Sequence, residues 1–228
     1  MGKVCRRGAL FFFAGLFALG ATAAVMQALL SNNWVHCEVE KIVQNKSSNR
    51  GWIEFGLIRG CQGRKPTAHS QIKQECFEVF KEFEGVFNLK ILYAVIACLV
   101  FAGLMLILCA GLSFYNEFTK SSYVVLGSLG LYIANGAAFF FMLCAVSLFS
   151  GLYHQQIKKN VIKSSEIEEG FTSKDNSSLK FSFWILVSGF SVPLINILLI
   201  FLNSAKAKSY FNKAPTIPTS NVDGMMLY

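Results

Sequence analysis

The sequence predicts an all-α membrane protein, a bundle of four transmembrane helices with a small extracellular β-sheet in the first loop. Four apolar segments are each long enough to cross a bilayer core as a helix: Gly8–Leu30, Ile91–Leu112, Val124–Leu152 and Phe181–Leu202. No Asp, Glu, Lys or Arg interrupts them. Because ionisable groups within a membrane usually mark ion pathways, their absence argues against a pump or a charge-filtered channel.

The composition agrees with a membrane protein that lies in a lipid bilayer. Hydrophobic residues make up 54% of the 228 residues, and charged residues only 15%, which is unusual for a soluble domain. The net charge of +8 is spread over loops and short tails without a dense patch, so we do not expect a nucleic-acid partner.

The first apolar segment has an alternative interpretation. Basic residues precede it and Ala21-Thr22-Ala23 lies within it, as in a secretory signal peptide with its cleavage site. However, the apolar run continues to Leu30, beyond the roughly 7 to 15 residues of a signal core. We therefore predict a retained span.

Basic flanks predict a cytoplasmic N-terminus and C-terminus in the plasma membrane. They are Lys3, Arg6 and Arg7 before the first span and Lys206, Lys208 and Lys213 after the last. The cytoplasmic segments are then 1–7, 113–123 and 203–228, the spans 8–30, 91–112, 124–152 and 181–202, and the extracellular loops 31–90 and 153–180. A loop as long as the first can translocate despite its basic residues.

Two glycosylation sequons support this orientation, because both fall in predicted extracellular loops. They begin at Asn45 and Asn176. Asn45 is the expected main site, since Asn176 lies close to the start of the fourth span.

The first loop changes its hydrophobic period along its length. Trp34–Val43 and Trp52–Ile58 are rich in β-branched and aromatic residues and predict an antiparallel sheet. The later part has helical spacing and predicts an amphipathic helix that runs into the second span. Its stripe is Ile72, Cys76, Val79, Phe80, Phe83, Val86 and Phe87. This stripe packs on the sheet or neighbouring helices, or binds the helix of a partner.

Three cysteines, Cys37, Cys61 and Cys76, lie in the first loop, where oxidising conditions favour disulfides. We favour a Cys37–Cys61 bond, which would join the two strand segments, with Cys76 free or bonded to another chain. Cys5 is a candidate for palmitoylation because it adjoins the first span on the cytosolic side.

Residue patterns for catalysis or cofactor binding are missing. The three histidines are far apart, and phosphate-binding loops, HExxH and GxSxG motifs are absent from the sequence. We expect no enzyme activity, no metal site and no cofactor.

Helix packing is predicted by small residues that recur at every fourth position of two spans. They are Gly20, Ala24 and Ala28 in the first, and Gly130, Ala134 and Ala138 in the third. These stripes build the bundle or serve a homo-oligomer interface. Gln27, Asn135 and Asn196 are expected to hydrogen-bond between helices. Pro193 predicts a kink near Gly189 in the fourth span.

Two resemblances to known families emerge from these residues. Trp34, Gly56-Leu57 and Cys61 resemble the first-loop signature of claudin-like four-span proteins, which contains a Trp, a Gly-Leu-Trp and two Cys. This chain departs from it in two places: Ile58 occupies the place of the second Trp, and Cys76 follows Cys61 at a longer spacing than in claudins. Segments throughout the chain resemble the clarin family: Phe114–Phe118, Gly127–Tyr132, Ser182–Trp184 and Thr219–Tyr228.

The clarin resemblance implies a claudin-like bundle in a non-enzymatic glycoprotein that organises membrane or cytoskeleton-linked complexes, in sensory or epithelial cells, through contacts with other membrane proteins. Two alternatives remain open at this stage, an auxiliary subunit of an ion channel and a claudin-like adhesion protein.

The chain ends in Met226-Leu227-Tyr228, with apolar side chains at the last and third-last positions. This pattern fits a ligand of a cytosolic PDZ scaffold, whose backbone amides capture the terminal carboxylate. The alternative is a tail that matches by chance.

Overall fold

A computed structural model describes residues 5–43, 46–64, 73–118 and 128–211. The helices are α1 (Cys5–Leu30), α2 (Val79–Glu82), α3 (Leu89–Phe118), α4 (Ser128–Leu152), α5 (Ser164–Glu168), α6 (Phe181–Gly189) and α7 (Ser191–Phe211). The strands are β1 (Val35–Val43), β2 (Lys46–Phe55), β3 (Arg59–Arg64), β4 (Lys73–Glu78), β5 (Phe171–Thr172) and β6 (Ser177–Leu179).

Four helical segments in these ranges are long and apolar enough to cross a membrane: Phe11–Leu30, Leu89–Phe118, Leu129–Ile157 and Phe181–Leu202. The third includes a π-helical turn, Tyr153–Ile157, that extends α4. The four-helix membrane bundle with a small antiparallel sheet is therefore confirmed.

The fourth span is broken at Phe190, between α6 and α7. Pro193 has no N–H to donate to the carbonyl of Gly189, four residues earlier, so the helical ladder is interrupted there. The Ser191 hydroxyl donates to the carbonyl of Ser188 at 2.6 Å. The predicted kink is confirmed.

Small side chains line the buried face of α1. Ala14, Ala18, Ala21, Val25 and Ala28 are each at most 2% exposed, at alternating steps of four and three residues that keep them on one face. Side chains this small let the neighbouring helices approach closely, which matters where no hydrophobic force drives helices together in lipid.

A buried polar cluster joins the four spans. The Asn135 amide donates to the Cys109 sulfur at 2.9 Å and to the carbonyl of Leu131 at 2.8 Å. The Asn196 amide donates to the Ala14 carbonyl at 3.3 Å and to the Asn135 side-chain oxygen at 3.4 Å. The predicted hydrogen bonds between helices are confirmed for Asn135 and Asn196. Gln27, which was predicted to make one as well, is exposed on α1 and not part of this cluster.

The sheet draws on both loops at one end of the bundle. Its order is β4-β3-β2-β1-β5, and β6 also pairs with β1. All its pairings are antiparallel. The two strands expected from the first loop are β1 and β2. The strands β3 and β4, and the two short strands that follow α4, were not predicted.

The amphipathic helix predicted from Ile72 onwards is wrong for most of its length. Residues 73–78 form β4, which pairs with β3, and the helix is confined to Val79–Glu82. Val79, Phe83 and Phe87 are nevertheless buried, and the rings of Phe83 and Phe87 pack on Phe55. The helical spacing reflects this cluster, while hydrogen bonds to β3 determine the preceding backbone.

Candidate functional site

We name the sheet end of the protein the cap, made of residues 31–43, 46–64, 73–88 and 158–180. Trp34 attaches it to the bundle. Its indole N–H donates to the carbonyl of Ala28 at 2.6 Å, which satisfies a carbonyl at the end of α1. The ring is fully buried, with centroids 4.5 Å from Phe149 and 6.3 Å from Phe183. The first-loop Trp is thus a structural anchor between the cap and three spans.

Gly56 lies against the backbone that leaves α1. A Cβ at this position would stand 1.9 Å from the carbonyl oxygen of Ser31, far inside van der Waals contact. The Gly56 N–H donates to the carbonyl of Arg59 at 2.8 Å, and Leu57 is fully buried. The Gly-Leu pair therefore forms the turn that seats the cap on the bundle.

The second loop is built into the same body. Beyond the pairing of β5 and β6 with β1, Lys163 forms a 2.9 Å salt bridge with Glu82. The Tyr153 hydroxyl donates to the carbonyl of Ser177 at 2.8 Å. The ammonium of Lys41 lies 4.7 Å from the centre of the Phe171 ring, a cation–π distance. The Lys163–Glu82 and Lys41–Phe171 contacts join the two loops, and the Tyr153–Ser177 hydrogen bond holds the second loop to the end of the third span.

The two faces of the sheet differ in chemistry. Cys37, Val39, Ile53 and Phe55 are buried on the inner face. On the outer face one row runs across the strands, with His36 opposite Glu54, Glu54 opposite Cys61, and Cys61 opposite Cys76. His36 Nδ1 lies 2.8 Å from Glu54 Oε1.

The disulfide joins Cys61 and Cys76, so the predicted Cys37–Cys61 bond is wrong. Cys61 and Cys76 face each other on neighbouring antiparallel strands, where the side chains of opposed residues are adjacent. Cys37 pairs instead with Ile53 on β2 and points to the inner face. The two-cysteine first-loop signature of claudin-like proteins was the signal in the sequence that could have indicated this pairing.

Cys37 is a free, fully buried thiol. Burial raises the pKa of its thiol to about 12, because the apolar surroundings disfavour the charged thiolate. Since the thiolate is the reactive form, Cys37 is inert while the cap stays folded.

Other predicted site residues are dispersed. Asn45 and Met226, Leu227 and Tyr228 lie outside the described residues, as does the side chain of Cys5, with which α1 begins. Asn176 precedes β6, and its backbone carbonyl accepts a hydrogen bond from the Glu38 N–H at 2.9 Å. In the described part of the chain, no three His, Cys, Asp or Glu side chains cluster as metal ligands would.

The residues predicted to form packing stripes differ in how deeply they are buried. Ala28, Ala134 and Ala138 are buried, and Ala24 and Gly130 are half-buried. Gly20 is exposed, and no atom lies within 4 Å of a Cβ built there. Gly20 therefore does not pack within the bundle, because the buried face of α1 runs through Ala18 and Ala21 instead.

These features define a multi-pass membrane protein with a claudin-like fold, in which a disulfide-bonded sheet is anchored on a four-helix bundle. The chain is similar to clarin-3 of Mus musculus, with 20% identity over 221 residues that cover 95% of this chain and 96% of the mouse protein. It is 23% identical to clarin-3 of Rattus norvegicus over 181 residues, 78% of this chain and 79% of the rat protein. No protein-family model matches. The resemblance to clarins is confirmed over nearly the whole chain.

Proposed function

We propose that this chain is a non-enzymatic membrane glycoprotein of clarin type that organises membrane or cytoskeleton-linked complexes. The observation that carries the proposal is the similarity to clarin-3 along almost the full length of both chains. A partial match would support a shared module, whereas this match includes every span and both loops of the cap.

The cap has the properties of a contact surface. Its two loops are held together by strand pairing and by the Lys163–Glu82 salt bridge. A pre-ordered surface binds its partner with a smaller entropic cost than a flexible loop does. Contacts of the cap outside the cell and of the helices within the membrane are the proposed means of organisation.

The topology belongs to the same proposal. Basic flanks favour cytoplasmic termini, which puts the cap outside the cell and makes Asn45 and Asn176 available to the glycosylation machinery. The tail that ends in Tyr228 then faces the cytosol, where a PDZ scaffold can read its carboxylate.

Proximity labelling in a cell that naturally expresses the protein tests this function. A biotin ligase fused before Met1 leaves the terminal carboxylate of Tyr228 free. Cytoskeletal and adhesion proteins are the expected labelled partners. Recovery of a channel subunit at near-equal stoichiometry after detergent purification would contradict the organiser role and favour an auxiliary channel subunit.

The tail has its own matched control. Adding one Ala after Tyr228 moves the carboxylate and leaves every native side chain in place. Labelling of PDZ proteins should disappear in this variant while membrane partners persist. An unchanged partner set would show that the carboxylate is not recognised.

A further inference from the structure

Trp52 lies on the outer face of the sheet, among polar side chains. The next residues with the opposite orientation on β2, Ile53 and Phe55, are buried on the inner face, so alternation along the strand places Trp52 on the outer one. Its side chain is half-buried there. A partly exposed Trp on a pre-ordered surface is typical of the residues that supply most of the binding energy in protein interfaces.

A carboxylate lies directly across from this ring. Glu38 on β1 is the residue opposite Trp52. Its neighbours Cys37 and Val39 are buried on the inner face, so the Glu38 side chain shares the outer face with the indole. Directly opposed residues of an antiparallel pair have Cβ atoms about 4.5–5.5 Å apart, and one bound group can therefore touch both side chains.

The fold does not use either side chain. Glu38 is exposed, and its backbone N–H donates to the Asn176 carbonyl at 2.9 Å. Within the described ranges, however, the Glu38 carboxylate forms no salt bridge or hydrogen bond, and the Trp52 indole forms no ring contact or hydrogen bond. The carboxylate of Glu54 differs, because it lies 2.8 Å from His36 Nδ1. Glu38 is thus the available acid beside the ring.

A cation is the complement of this pair. The face of an indole ring attracts cations, and a carboxylate accepts strong hydrogen bonds from them. Glu54, two residues after Trp52 on the same face, adds negative charge nearby. On the other flank the residue opposite Trp52 is Gly63, which has no side chain to occupy the ring.

The arrangement suits an arginine better than other cations. A guanidinium is planar, so it can stack on an aromatic ring while its edge donates two parallel hydrogen bonds to a carboxylate. The ammonium of lysine is a compact point charge and lacks this second function. A neutral glycan could stack on the ring but would gain nothing from the charge of Glu38.

We propose that this face of the cap binds an arginine side chain of a partner protein, with the guanidinium stacked on Trp52 and hydrogen-bonded to the Glu38 carboxylate. Charge complementarity selects this occupant, because the face offers an aromatic ring and an unpaired anion side by side. The partner is an extracellular segment, a statement that rests on the proposed placement of the cap outside the cell.

Fluorine NMR tests this surface in the full-length protein. The chain is labelled with fluorotryptophan, produced without glycans so that Asn176, beside Glu38, carries none, and placed in detergent micelles. The probe is N-acetylarginine amide, and N-acetylcitrulline amide, which has nearly the same shape without the charge, is its control. The arginine probe should shift the Trp52 resonance saturably, and the citrulline probe should not. Trp34, which is buried, and Trp184, which is exposed on the fourth span, should not respond to either.

Variants assign the resonance and test the carboxylate. Trp52→Phe removes the signal of Trp52 and so identifies it. Glu38→Gln should raise the dissociation constant of the arginine probe about fivefold, the effect of losing a favourable exposed ion pair. Glu84→Gln is the matched control, because Glu84 is an exposed carboxylate in the turn after α2. It should leave binding unchanged. Thermal midpoints equal to that of wild type identify the variants that retain their fold.

Three results would overturn the proposal: equal shifts of the Trp52 resonance by the arginine and citrulline probes, undiminished binding of arginine by folded Glu38→Gln, or a saturable shift by the neutral sugar N-acetylglucosamine in place of arginine. Because micelles leave every surface of the cap accessible, a negative result rejects the arginine site without bearing on the organiser role, which proximity labelling tests separately.

Discussion

Replacing Gly56 with Ala tests how the cap is seated. A Cβ normally lies at least about 3.4 Å from a neighbouring atom, whereas the Cβ of the new alanine would lie 1.9 Å from the Ser31 carbonyl oxygen. The backbones at residues 31 and 56 must therefore separate by about 1.5 Å, the difference between these two distances. No side-chain rotation relieves the clash, because it involves backbone atoms on both sides.

The loss of unfolding free energy in Gly56→Ala can be worked out from the contacts that this separation breaks. Two hydrogen bonds beside Gly56 would break, from Trp34 N–H to the Phe55 carbonyl at 3.2 Å and from Gly56 N–H to the Arg59 carbonyl at 2.8 Å. At about 1 kcal/mol each, with ~1–3 kcal/mol for overpacking, the free energy of unfolding should fall by about 3–5 kcal/mol. That is a large part of the ~5–15 kcal/mol typical of folded proteins.

The assay is the thermal midpoint of a fluorescent fusion in detergent, read by size-exclusion chromatography after heating, together with surface biotinylation in cells. Gly56→Ala should lower the midpoint by roughly 10 °C and reduce surface protein. Gly111→Ala is the control, because no atom lies within 4 Å of a Cβ at Gly111. A Gly56→Ala midpoint equal to that of the control would refute the close-approach argument.

Three further predictions concern the cysteines, the polar cluster and the glycan. Cys37 should resist alkylation in folded protein and react after denaturation. Replacing Cys61 or Cys76 with Ser should lower the free energy of unfolding by about 3 kcal/mol, the value expected for a disulfide that closes a short loop. A non-reducing peptide map that shows Cys37 in a disulfide would contradict both predictions. Asn196→Leu should cost about 1–2 kcal/mol, because two interhelical hydrogen bonds are lost, and an unchanged thermal midpoint would show that the cluster does not stabilise the bundle. Asn45→Gln should remove the mass shift that a glycosidase reverses, and a shift that persists would assign the main glycan elsewhere.

Local patterns were sufficient to predict the membrane architecture. A span depends on about 20 consecutive apolar residues, and all of that information lies within each segment. The kink at Gly189 follows in the same way from Pro193, since proline acts on the backbone four residues before it.

Strand pairings in the sheet were harder to predict than the membrane spans. Helical spacing from Ile72 to Phe87 was genuine in its second half, where Val79, Phe83 and Phe87 pack together. In its first half, pairing of β4 with β3 overrode the local period. Strands as short as Phe171–Thr172 contain too few residues for an alternating pattern, so the contribution of the second loop to the sheet could not be read from it.

The sequence by itself determined the spans, the first two strands of the cap and the asparagines that join the helices, because burial in lipid and strand alternation are properties of neighbouring residues. Tertiary structure decided which cysteines pair and which face of α1 is buried. Cys37 and Cys61 lie on opposite faces of the sheet because of strand register, and Gly20 faces away from the bundle because of the rotation of α1. Both depend on contacts between segments far apart in the chain, which no local pattern specifies.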